Sequence, residues 1–412
     1  MRFRFLHAAD LHLDSPLLGL SAKSPEFAAR IEDASRQAFD NLVELALAED
    51  CRLLVVAGDA FDRDWRDWRT GRFFVERLAR LREGGVKVVM ILGNHDAQNG
   101  LAARLEASDN FTLFSSRCAQ SAVFEDIGAA AHGRSFPNRE VAENIALDYP
   151  PPLPGYFNIG VLHTCATGRE GHEPYAPCTV EQLRNHGYQY WALGHVHARE
   201  VLCEDPPILY SGNLQARHIR ETGAKGATLV EVEDGAVTRL EHRPLDVARF
   251  AHERIDIGAV DGRDALLALV LERAQATCAA AEGRALALRV ELCGASPLHA
   301  ELVADAPALR EEIETMFAAI SPDLWLEKLS LRTQALAREA KVDPSVAGGL
   351  REAIEELFAQ GWLEGRLKER LSRIRAKLPP NAHGEDLTRL MEAEGAARAR
   401  ALALALLERG DG

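Results

Sequence analysis

Paired cysteines and long apolar runs are both missing from this sequence. Its seven cysteines are scattered and no CxxC pair occurs, so neither a zinc knuckle nor a disulfide framework is indicated. The longest apolar runs are strand-sized, well short of the roughly 20 residues that a membrane-spanning helix needs. The first residues enter a strand pattern without the apolar core of a signal peptide. We therefore expect no membrane segment and a reducing, cytoplasmic compartment.

An excess of positive charge is missing as well. The 412 residues carry a formal net charge of −14, which is unusual for a free DNA-binding domain because phosphate backbones favour basic partners. An enzyme that acts on nucleic acid can still have this charge, since bound divalent cations neutralise the carboxylates that hold them. Positive charge is concentrated between Arg63 and Lys87. That stretch fits two interpretations, a solvated helix face and a nucleic-acid groove.

The first half of the chain alternates strands and helices, and the length predicts two or three domains. Apolar strands are predicted at about 3–8, 53–57 and 86–92, with helical patterns at about 25–48 and 69–83. This alternation predicts an α/β layer. From about 111 to 245 the pattern becomes richer in strands and ends in a hairpin that turns at Asp234-Gly235. Strands are predicted there at 111–114, 122–126, 129–135, 157–163, 189–193, 207–211 and 226–241.

The pattern changes near residue 250, which predicts domain boundaries there. Strands and helices alternate again up to about 335, as in a small α+β domain, and only helical patterns follow. We predict domains over 1–248, 249–335 and 336–412. An apolar stripe with three- to five-residue spacing runs from Leu350 to Leu378. It fits a docking face for a partner and equally well a face packed on the chain itself.

Residues that can bind metal follow the apolar strands. Ligands of open α/β sheets gather at the carboxyl ends of the strands, and five separate strand ends offer an Asp, Asn or His there. The candidate metal ligands are Asp10, His12, Asp59, Asn94, His163, His195 and His197.

The chemistry of these candidates is coherent. Oxygen ligands mixed with imidazoles, and no thiolate, suit Mn, Fe, Zn or Co. Asp10 and His12, two apart on an extended segment, should point to the same side, and His195 and His197 repeat that spacing. Two ions about 3.5–4 Å apart need a bridging carboxylate, for which Asp59 is the best candidate. Glycines beside these residues permit sharp turns and close backbone approach, namely Gly58, Gly93 and Gly194.

The motifs DxH, GDxxDR, GNHD, a lone His and GHxH, in this order after apolar runs, carry a family resemblance. The chain resembles the calcineurin-like metallophosphoesterase superfamily, within it the SbcD-type DNA repair exonucleases, and among those the YhaO-like branch. Phe5–Asp14 and Tyr210–Asn213, followed by Arg217–Glu221, are typical of that branch. The resemblance is clear over 1–245, weaker over 250–335, and fades beyond.

The resemblance implies a four-layer β-sandwich flanked by helices, with a small α+β capping domain and a helical C-terminal tail. It implies that Asp10, His12, Asp59 and His197 hold one metal, and that Asp59, Asn94, His163 and His195 hold the other. His95 would act on the phosphate rather than on a metal, and Asp96 would orient its imidazole. The role of Asp62, where some relatives have histidine, stays open.

The implied activity is that of a two-metal DNA phosphodiesterase, an exo- or endonuclease in DNA repair. Manganese is the expected ion, with Fe, Zn, Co or Mg as options. The implied partners are DNA and a coiled-coil ATPase of the SbcC type, with a homodimer as a further option and no membrane. The cluster Arg217-His218-x-Arg220 fits a phosphate or partner contact, and equally a salt-bridged loop with Glu221.

Two other functions fit the sequence less well. A phosphatase or cyclic-nucleotide phosphodiesterase would use the same metals but would not need the extra 250–335 domain. A DNA-tethering or scaffold protein with a vestigial site would have lost at least one ligand, and the set is complete. Five histidines without a partner at ligand spacing are expected to be structural or on the surface, namely His7, His132, His172, His186 and His242.

Overall fold

The protein is described by a computed structural model. The described residues are 1–15, 27, 29, 31–62, 69–97, 108–166, 175–336, 346–359 and 399–404. Two compact units are present, one formed by Met1–Ala251 with Ala281–Ala287, the other by His252–Ala280 with Leu288–Gly412. Among the described residues, every helix is too short or too polar to cross a membrane.

The first sheet of the first unit carries the predicted parallel strands. Its members are β1 (Arg2–Ala8), β2 (Leu53–Ala57), β3 (Lys87–Ile91), β4 (Phe111–Leu113), β11 (Gly226–Glu233) and β12 (Ala236–Pro244). Their order is β12-β11-β1-β2-β3-β4. Strands β1 to β4 run parallel, so their carboxyl ends share one edge, and the β11–β12 hairpin joins β1 antiparallel. Strands buried on both faces read as continuous apolar runs, as β2 and β3 do.

The second sheet lies in the same unit. Its members are β5 (Gln120–Phe124), β6 (Ala129–Gly133), β7 (Phe157–His163), β8 (Tyr190–Gly194), β9 (Glu200–Glu204) and β10 (Pro207–Tyr210). They are ordered β5-β6-β7-β8-β10-β9, with β6, β7, β8 and β10 parallel. The carboxyl ends of β7 and β8 therefore share one edge here too.

Apolar layers join these sheets and the helices. Phe5, Val55 and Ile159 belong to the core between the two sheets. Helices α1 (Ala34–Ala48) and α2 (Arg69–Glu83) cover the other face of the first sheet, where the Phe39 and Phe74 rings stack 5.4 Å apart.

A third core lies on the outer face of the second sheet. Trp191 packs there with Tyr188 and with Leu183 of the short helix α3 (Val180–Asn185). Each fully buried side chain of this size contributes about 1.5–3 kcal/mol. Helices, two sheets and this outer core give the layered α/β sandwich that was predicted.

The arginines of α2 are paired with carboxylates. Arg77 donates to both carboxylate oxygens of Asp40, at 2.7 and 3.1 Å, and lies over the Phe73 ring. Arg72 pairs with Glu76, four residues on, and Arg80 and Arg82 also have acidic partners. These pairs favour the solvated helix face over a nucleic-acid groove. Arg63 and Arg66 lie outside the described residues.

The second unit contains a three-stranded sheet. Its strands are β13 (Ala248–Asp256), β14 (Ala285–Ser296) and β15 (Leu324–Ala335), in that order across the sheet. Between them in the chain come α4 (Arg263–Ala280), α5 (His299–Ala304) and α6 (Ala306–Ile320). Helix α6 buries Leu309, Ile313 and Phe317, four residues apart on one face. Helix α5 was not predicted, and the domain boundaries themselves stay a prediction.

The C-terminal helical pattern is described only in part. Helix α7 (Val346–Ala359) is held to residues 399–404 by Arg400, which donates to both carboxylate oxygens of Glu355. Within the apolar stripe, Ile354 is half-buried and Leu357 is exposed. The rest of the stripe, from 360 to 378, lies outside the described residues.

Candidate metal centre

The seven predicted ligands lie together where strands of the two sheets end. Asp10, His12, Asp59 and Asn94 follow β1, β2 and β3, while His163 ends β7 and the two remaining histidines follow β8. Backbone hydrogen bonds hold the loops to one another, from the Asp10 amide to Gly58 O and from the His12 amide to Asp59 O, both 3.0 Å. Six of the seven side chains are buried and His197 is half-buried.

One group of donors surrounds His12. Its Nε2 atom lies 3.2 Å from Nε2 of His197 and 4.0 Å from Oδ2 of Asp59. Nε2 of His197 is 3.9 Å from Oδ1 of Asp10. Ligand atoms of Asp10, His12 and His197 all lie within 4.8 Å of one another. The structure thus brings together the four residues of the first predicted ligand set, Asp59 at the longest of these distances.

A second group surrounds Asn94. Its Oδ1 lies 3.0 Å from Nε2 of His163 and 3.3 Å from Nδ1 of His195. Nε2 of His163 is also 3.4 Å from Oδ2 of Asp59. The same Asp59 oxygen therefore faces both groups, while its Oδ1 accepts the His95 backbone amide at 2.8 Å. That is the arrangement expected of a bridging carboxylate.

The tautomers of two histidines suit cation binding. Nδ1 of His163 donates to Ala57 O at 2.9 Å, and Nδ1 of His197 donates to Glu221 Oε1 at 2.7 Å. In each neutral ring Nε2 then carries a lone pair directed into the site. When the His163 ring is neutral, lone pairs of His163, Asn94 and Asp59 converge, which is favourable only around a positive charge, either a proton on Nε2 of His163 or a metal ion. The donor set therefore fits divalent ions.

The electrostatics of the centre point the same way. Burial opposes protonation of His163, but the charge of Asp59 outweighs it and raises the pKa of His163 to about 9. Burial would likewise raise the pKa of Asp59, yet His163 and His12 hold it well below its usual range. For Asp10 burial prevails and raises the pKa. A buried cluster of this kind requires added positive charge, as a proton or as a metal.

The ligand loops have unusual backbone. We expected Asp10 and His12 on an extended segment, but their φ angles are +51° and +43°. Asp59 at +51° and His195 at +97° are also left-handed. Only the expectation of extended backbone was wrong: local turns, not strand alternation, bring the side chains to the same side. Non-glycine residues with positive φ are uncommon and cluster at functional sites.

The glycines allow the close approach that was predicted. Gly58 has φ of +92°, and a Cβ built on it would lie 2.5 Å from Nδ1 of His163. A Cβ on Gly93 would overlap Oδ1 of Asp59 and lie 2.8 Å from Cε1 of His163. Any side chain at these two positions would displace candidate ligands.

His95 lies beside the donors, and its partner differs from the predicted one. Nδ1 of His95 is 2.7 Å from Oδ1 of Asp62, whose Oδ2 accepts from Ser15 Oγ at 2.8 Å. Asp96, expected to orient His95, instead accepts the amides of Gly93, Ala60 and Phe61 at 2.8–3.2 Å. Buried and turned towards backbone donors, Asp96 ties two ligand loops together. Asp62 has the orienting position.

Burial works against ionisation of the residues beside His95. Burial raises the pKa of Asp96 to about 7, and the nearby charge of Asp59 adds to this. It opposes ionisation of Asp62 too, but contacts with His95 and Ser15 lower the pKa of that carboxyl. Asp62 is thus the better partner for a protonated imidazole.

Glu221 holds several groups around the candidate ligands in place. The sequence indicated Glu221 only as a salt-bridge partner. Besides His197, its carboxylate accepts from Asn213 Nδ2 at 3.0 Å and from the Arg217 amide at 2.7 Å. Carboxylates in this position fix the tautomer of a metal-binding histidine. The sequence marked Glu221 only as part of the segment Arg217–Glu221. It could not show that this segment lies beside the GHxH motif.

Four of the five histidines that were expected to be structural or on the surface lie in the described residues. His7 hydrogen bonds to Tyr190 Oη and Leu193 O, at 3.0 and 3.1 Å. His132 bridges Ser121 and Asn158, and His186 donates to Pro150 O. His242 is half-buried in β12. His172 lies outside the described residues.

Comparisons with known proteins agree with this geometry. Residues 3–199 match the family described as calcineurin-like phosphoesterase, and residues 250–334 match the middle domain of the metallophosphoesterase YhaO. The metallophosphoesterase YhaO of Bacillus subtilis is 35% identical over 370 residues, which cover 88% of this chain and 89% of that protein.

Two further relatives match less of the chain. The DNA double-strand break repair protein Mre11 of Methanopyrus kandleri is 26% identical over 61% of this chain and 60% of its own length. SbcD, which forms part of the nuclease SbcCD of Bacillus subtilis, is 34% identical over 24% of each chain. A solved dimetal phosphatase from Danio rerio aligns at 12% identity with a TM-score of 0.34, covering 56% of this chain and 93% of that one, too low a score to add to the assignment.

The identity to YhaO over most of both chains decides the assignment. Metallophosphoesterases of this family are hydrolases that use a binuclear divalent metal site, and the donor groups described above supply candidate ligands for one. The chain therefore belongs to the calcineurin-like metallophosphoesterases, in the branch of YhaO.

Proposed function

We propose that this metallophosphoesterase is a DNA phosphodiesterase that holds two divalent ions on Asp10, His12, Asp59, Asn94, His163, His195 and His197. The observation that carries the proposal is Oδ2 of Asp59. It lies 4.0 Å from Nε2 of His12 in one donor group and 3.4 Å from Nε2 of His163 in the other. One carboxylate oxygen shared by two sets of donors is what a pair of ions about 3.5–4 Å apart requires.

The bound ions would lower the pKa of an attacking water and neutralise charge on the phosphate. His95, next to the donors, is placed to give a proton to the departing oxygen. Asp62, whose Oδ1 lies 2.7 Å from Nδ1 of His95, would stabilise the imidazolium, in which Nε2 also carries the proton that the departing oxygen would take. Backbone amides hold Asp96 away from this step, so its role is to brace the ligand loops.

The substrate and partner are taken from the relatives. Mre11 is a DNA repair protein and SbcD belongs to a nuclease, which supports DNA as the substrate and a coiled-coil ATPase of the SbcC type as the partner. Residues 249–335, of which 250–334 match the YhaO middle domain, are proposed as a separate capping domain. All seven cysteines are free thiols, which supports the proposed cytoplasmic setting. Manganese is the proposed ion, since carboxylate, amide and imidazole donors suit it.

A digestion panel tests the proposal. The full chain would be incubated with Mn, Mg, Zn or Co and with linear, circular or hairpin DNA. Bis-(p-nitrophenyl) phosphate and p-nitrophenyl phosphate report on small diesters and monoesters, and the matched control is His95→Ala. We expect manganese-dependent cleavage of DNA, with monoester hydrolysis slow or absent.

Three results would change the proposal in different ways. Efficient monoester hydrolysis without DNA cleavage would make the protein a phosphatase. Cleavage of linear but not circular DNA would indicate an exonuclease. Tight DNA binding without hydrolysis under any metal would indicate the tethering role.

A further inference from the structure

Arg217 has an unusual position beside the metal centre. Its Nη1 lies 4.0 Å from Asp62 Oδ2, and its Nη2 lies 3.3 Å from Nδ1 of His197 and 3.7 Å from Oε1 of Glu221. The guanidinium thus spans the gap between the His95–Asp62 pair and the His197–Glu221 pair. It is the part of a basic segment that comes nearest to the candidate ligands.

These neighbours do not use the hydrogen-bonding capacity of Arg217. Nδ1 of His197 already donates its proton to Glu221 at 2.7 Å, so it cannot also accept from Nη2. The distances to Asp62 and Glu221 are those of ion pairs, beyond hydrogen bonds. Within the described residues, the buried Nε atom of Arg217 has no hydrogen-bond partner. Buried donors of a charged group are rarely left unpaired.

A hollow about the size of one water molecule lies next to this guanidinium. It is lined by His12, Ser15, Glu32, Ser35 and Ala216. His12 is a candidate metal ligand, and Ser15 donates to Asp62. A single oxygen atom of a ligand placed in this hollow would therefore lie beside both Arg217 and His12.

The loop presents Arg217 in a fixed way. Its backbone amide donates to Glu221 Oε2 at 2.7 Å, while the other Glu221 oxygen orients His197. One carboxylate thus sets the relative positions of a metal ligand and of the guanidinium. A residue that served only to neutralise Glu221 would not require this placement or an arginine.

We propose that Arg217 binds a non-bridging oxygen of the substrate phosphate. The inference rests on the proposed function in one respect, namely that a phosphate ester occupies the metal centre. A planar guanidinium presents donors in a fork that matches two phosphate oxygens, which an ammonium does not. Arg217 would hold the ester against the ions with its phosphorus turned towards His95.

The test measures phosphate binding rather than turnover. Inorganic phosphate is titrated into the manganese-loaded full chain by calorimetry, and bound manganese is counted for each protein. Arg217→Gln removes the charge, Arg217→Lys keeps it but removes the fork, and Arg220→Gln is the control, since Arg220 is exposed in the same loop. We expect about 10- to 100-fold weaker phosphate binding for Arg217→Gln. Arg217→Lys should show a smaller loss, and Arg220→Gln and the manganese count should not change.

Equal phosphate affinity in wild type and Arg217→Lys would overturn the inference. This comparison tests the inference even if Arg217→Gln fails to fold. A fall in manganese content that parallels the fall in affinity would also overturn it, because Arg217 would then only support His197. The proposed function fails on separate evidence, the absence of DNA cleavage by the wild type. Phosphate binding can be measured whichever way that result falls.

Discussion

At the residue scale, Asp59 is the side chain on which both donor groups depend. Its Oδ1 is fixed by the His95 amide and its Oδ2 faces His12 and His163. Asp59→Asn should therefore weaken the binding of both ions at once. Substitution of a residue that hydrogen bonds to a metal ligand typically costs about 10–100-fold in metal affinity. Loss of the charge of a ligand itself should therefore cost at least that.

Metal content after dialysis measures this effect, with Asp126→Asn, an exposed partner of Arg52, as control. Retention of two ions, or loss of only one, would contradict a bridging role.

Asp62 and His95 should behave differently from the ligands. His95→Ala should retain both ions and lose about 10²–10⁴-fold in turnover, as expected for a proton donor. Asp62→Asn should reduce turnover in the same direction, by roughly tenfold or more, because it leaves the imidazole without its anionic partner. Turnover measured beside metal content checks both variants. Loss of metal in step with activity would mean that His95 is a ligand.

His7 should make stability depend on pH. Burial is the main cause that lowers its pKa to about 3 from an unfolded value near 6.5. Above pH 6.5 the histidine is neutral in both states; below it the unfolded chain gains a proton that the folded chain does not. His7 should therefore lower the free energy of unfolding by about 1.4 kcal/mol per pH unit as pH falls below 6.5.

Urea unfolding of wild type and His7→Gln at pH 7.5 and 5.5 measures this contribution as a difference. Equal pH slopes for the two proteins would show that His7 does not titrate in this way.

At the residue scale, the order of the motifs in the sequence predicted more of the site than any single residue could. All seven donors were predicted because each follows an apolar run and because parallel strands end at one edge. The sequence could not predict that Asp62, and not Asp96, is the carboxylate that faces His95, because this depends on the direction in which each loop turns its side chain. Asp96 adjoins His95 in sequence, but the amides of Ala60 and Phe61 capture it.

At the element scale, the turn after β3 requires glycine at position 93, because a side chain there would collide with candidate ligands. A Cβ on Gly93 would overlap Asp59 Oδ1 and approach His163. Gly93→Ala should therefore reduce affinity for both ions, with a stability loss of about 1–3 kcal/mol from overpacking. Gly349→Ala is the matched control, because a Cβ there meets nothing within 4 Å. Metal content and thermal unfolding measure the effect, and unchanged affinity would show that the loop can yield.

Elements with regular apolar spacing could be predicted at their observed bounds, whereas one edge strand with mixed burial could not. Helix α2 and strands β2 and β7 were predicted at their observed bounds, because their apolar spacing is regular. Strand β9 (Glu200–Glu204) was missed, since it is an edge strand with mixed burial and no apolar run. Helix α1 begins at Ala34, later than the predicted 25, and much of the stretch between lies outside the described residues.

At the scale of the whole molecule, all candidate ligands precede residue 200. Deleting residues after 340 should leave two ions bound and the small diester still hydrolysed, but should abolish binding to a coiled-coil ATPase. Metal content, diester hydrolysis and co-purification with the ATPase measure the three outcomes. A truncated chain that fails to fold or loses its ions would show that the apolar stripe belongs to the core.

The division of the ligands between the two sheets has a further consequence. Four donors follow strands of one sheet and three belong to the other, so bound ions would fasten the layers together at that edge. The apolar core between the sheets supplies no directional bonds of its own. Ligand binding stabilises a folded state by mass action, as RT ln(1 + [L]/Kd). The midpoint of thermal unfolding should thus follow free metal concentration, which would let metal supply govern how long the protein persists as well as how fast it reacts.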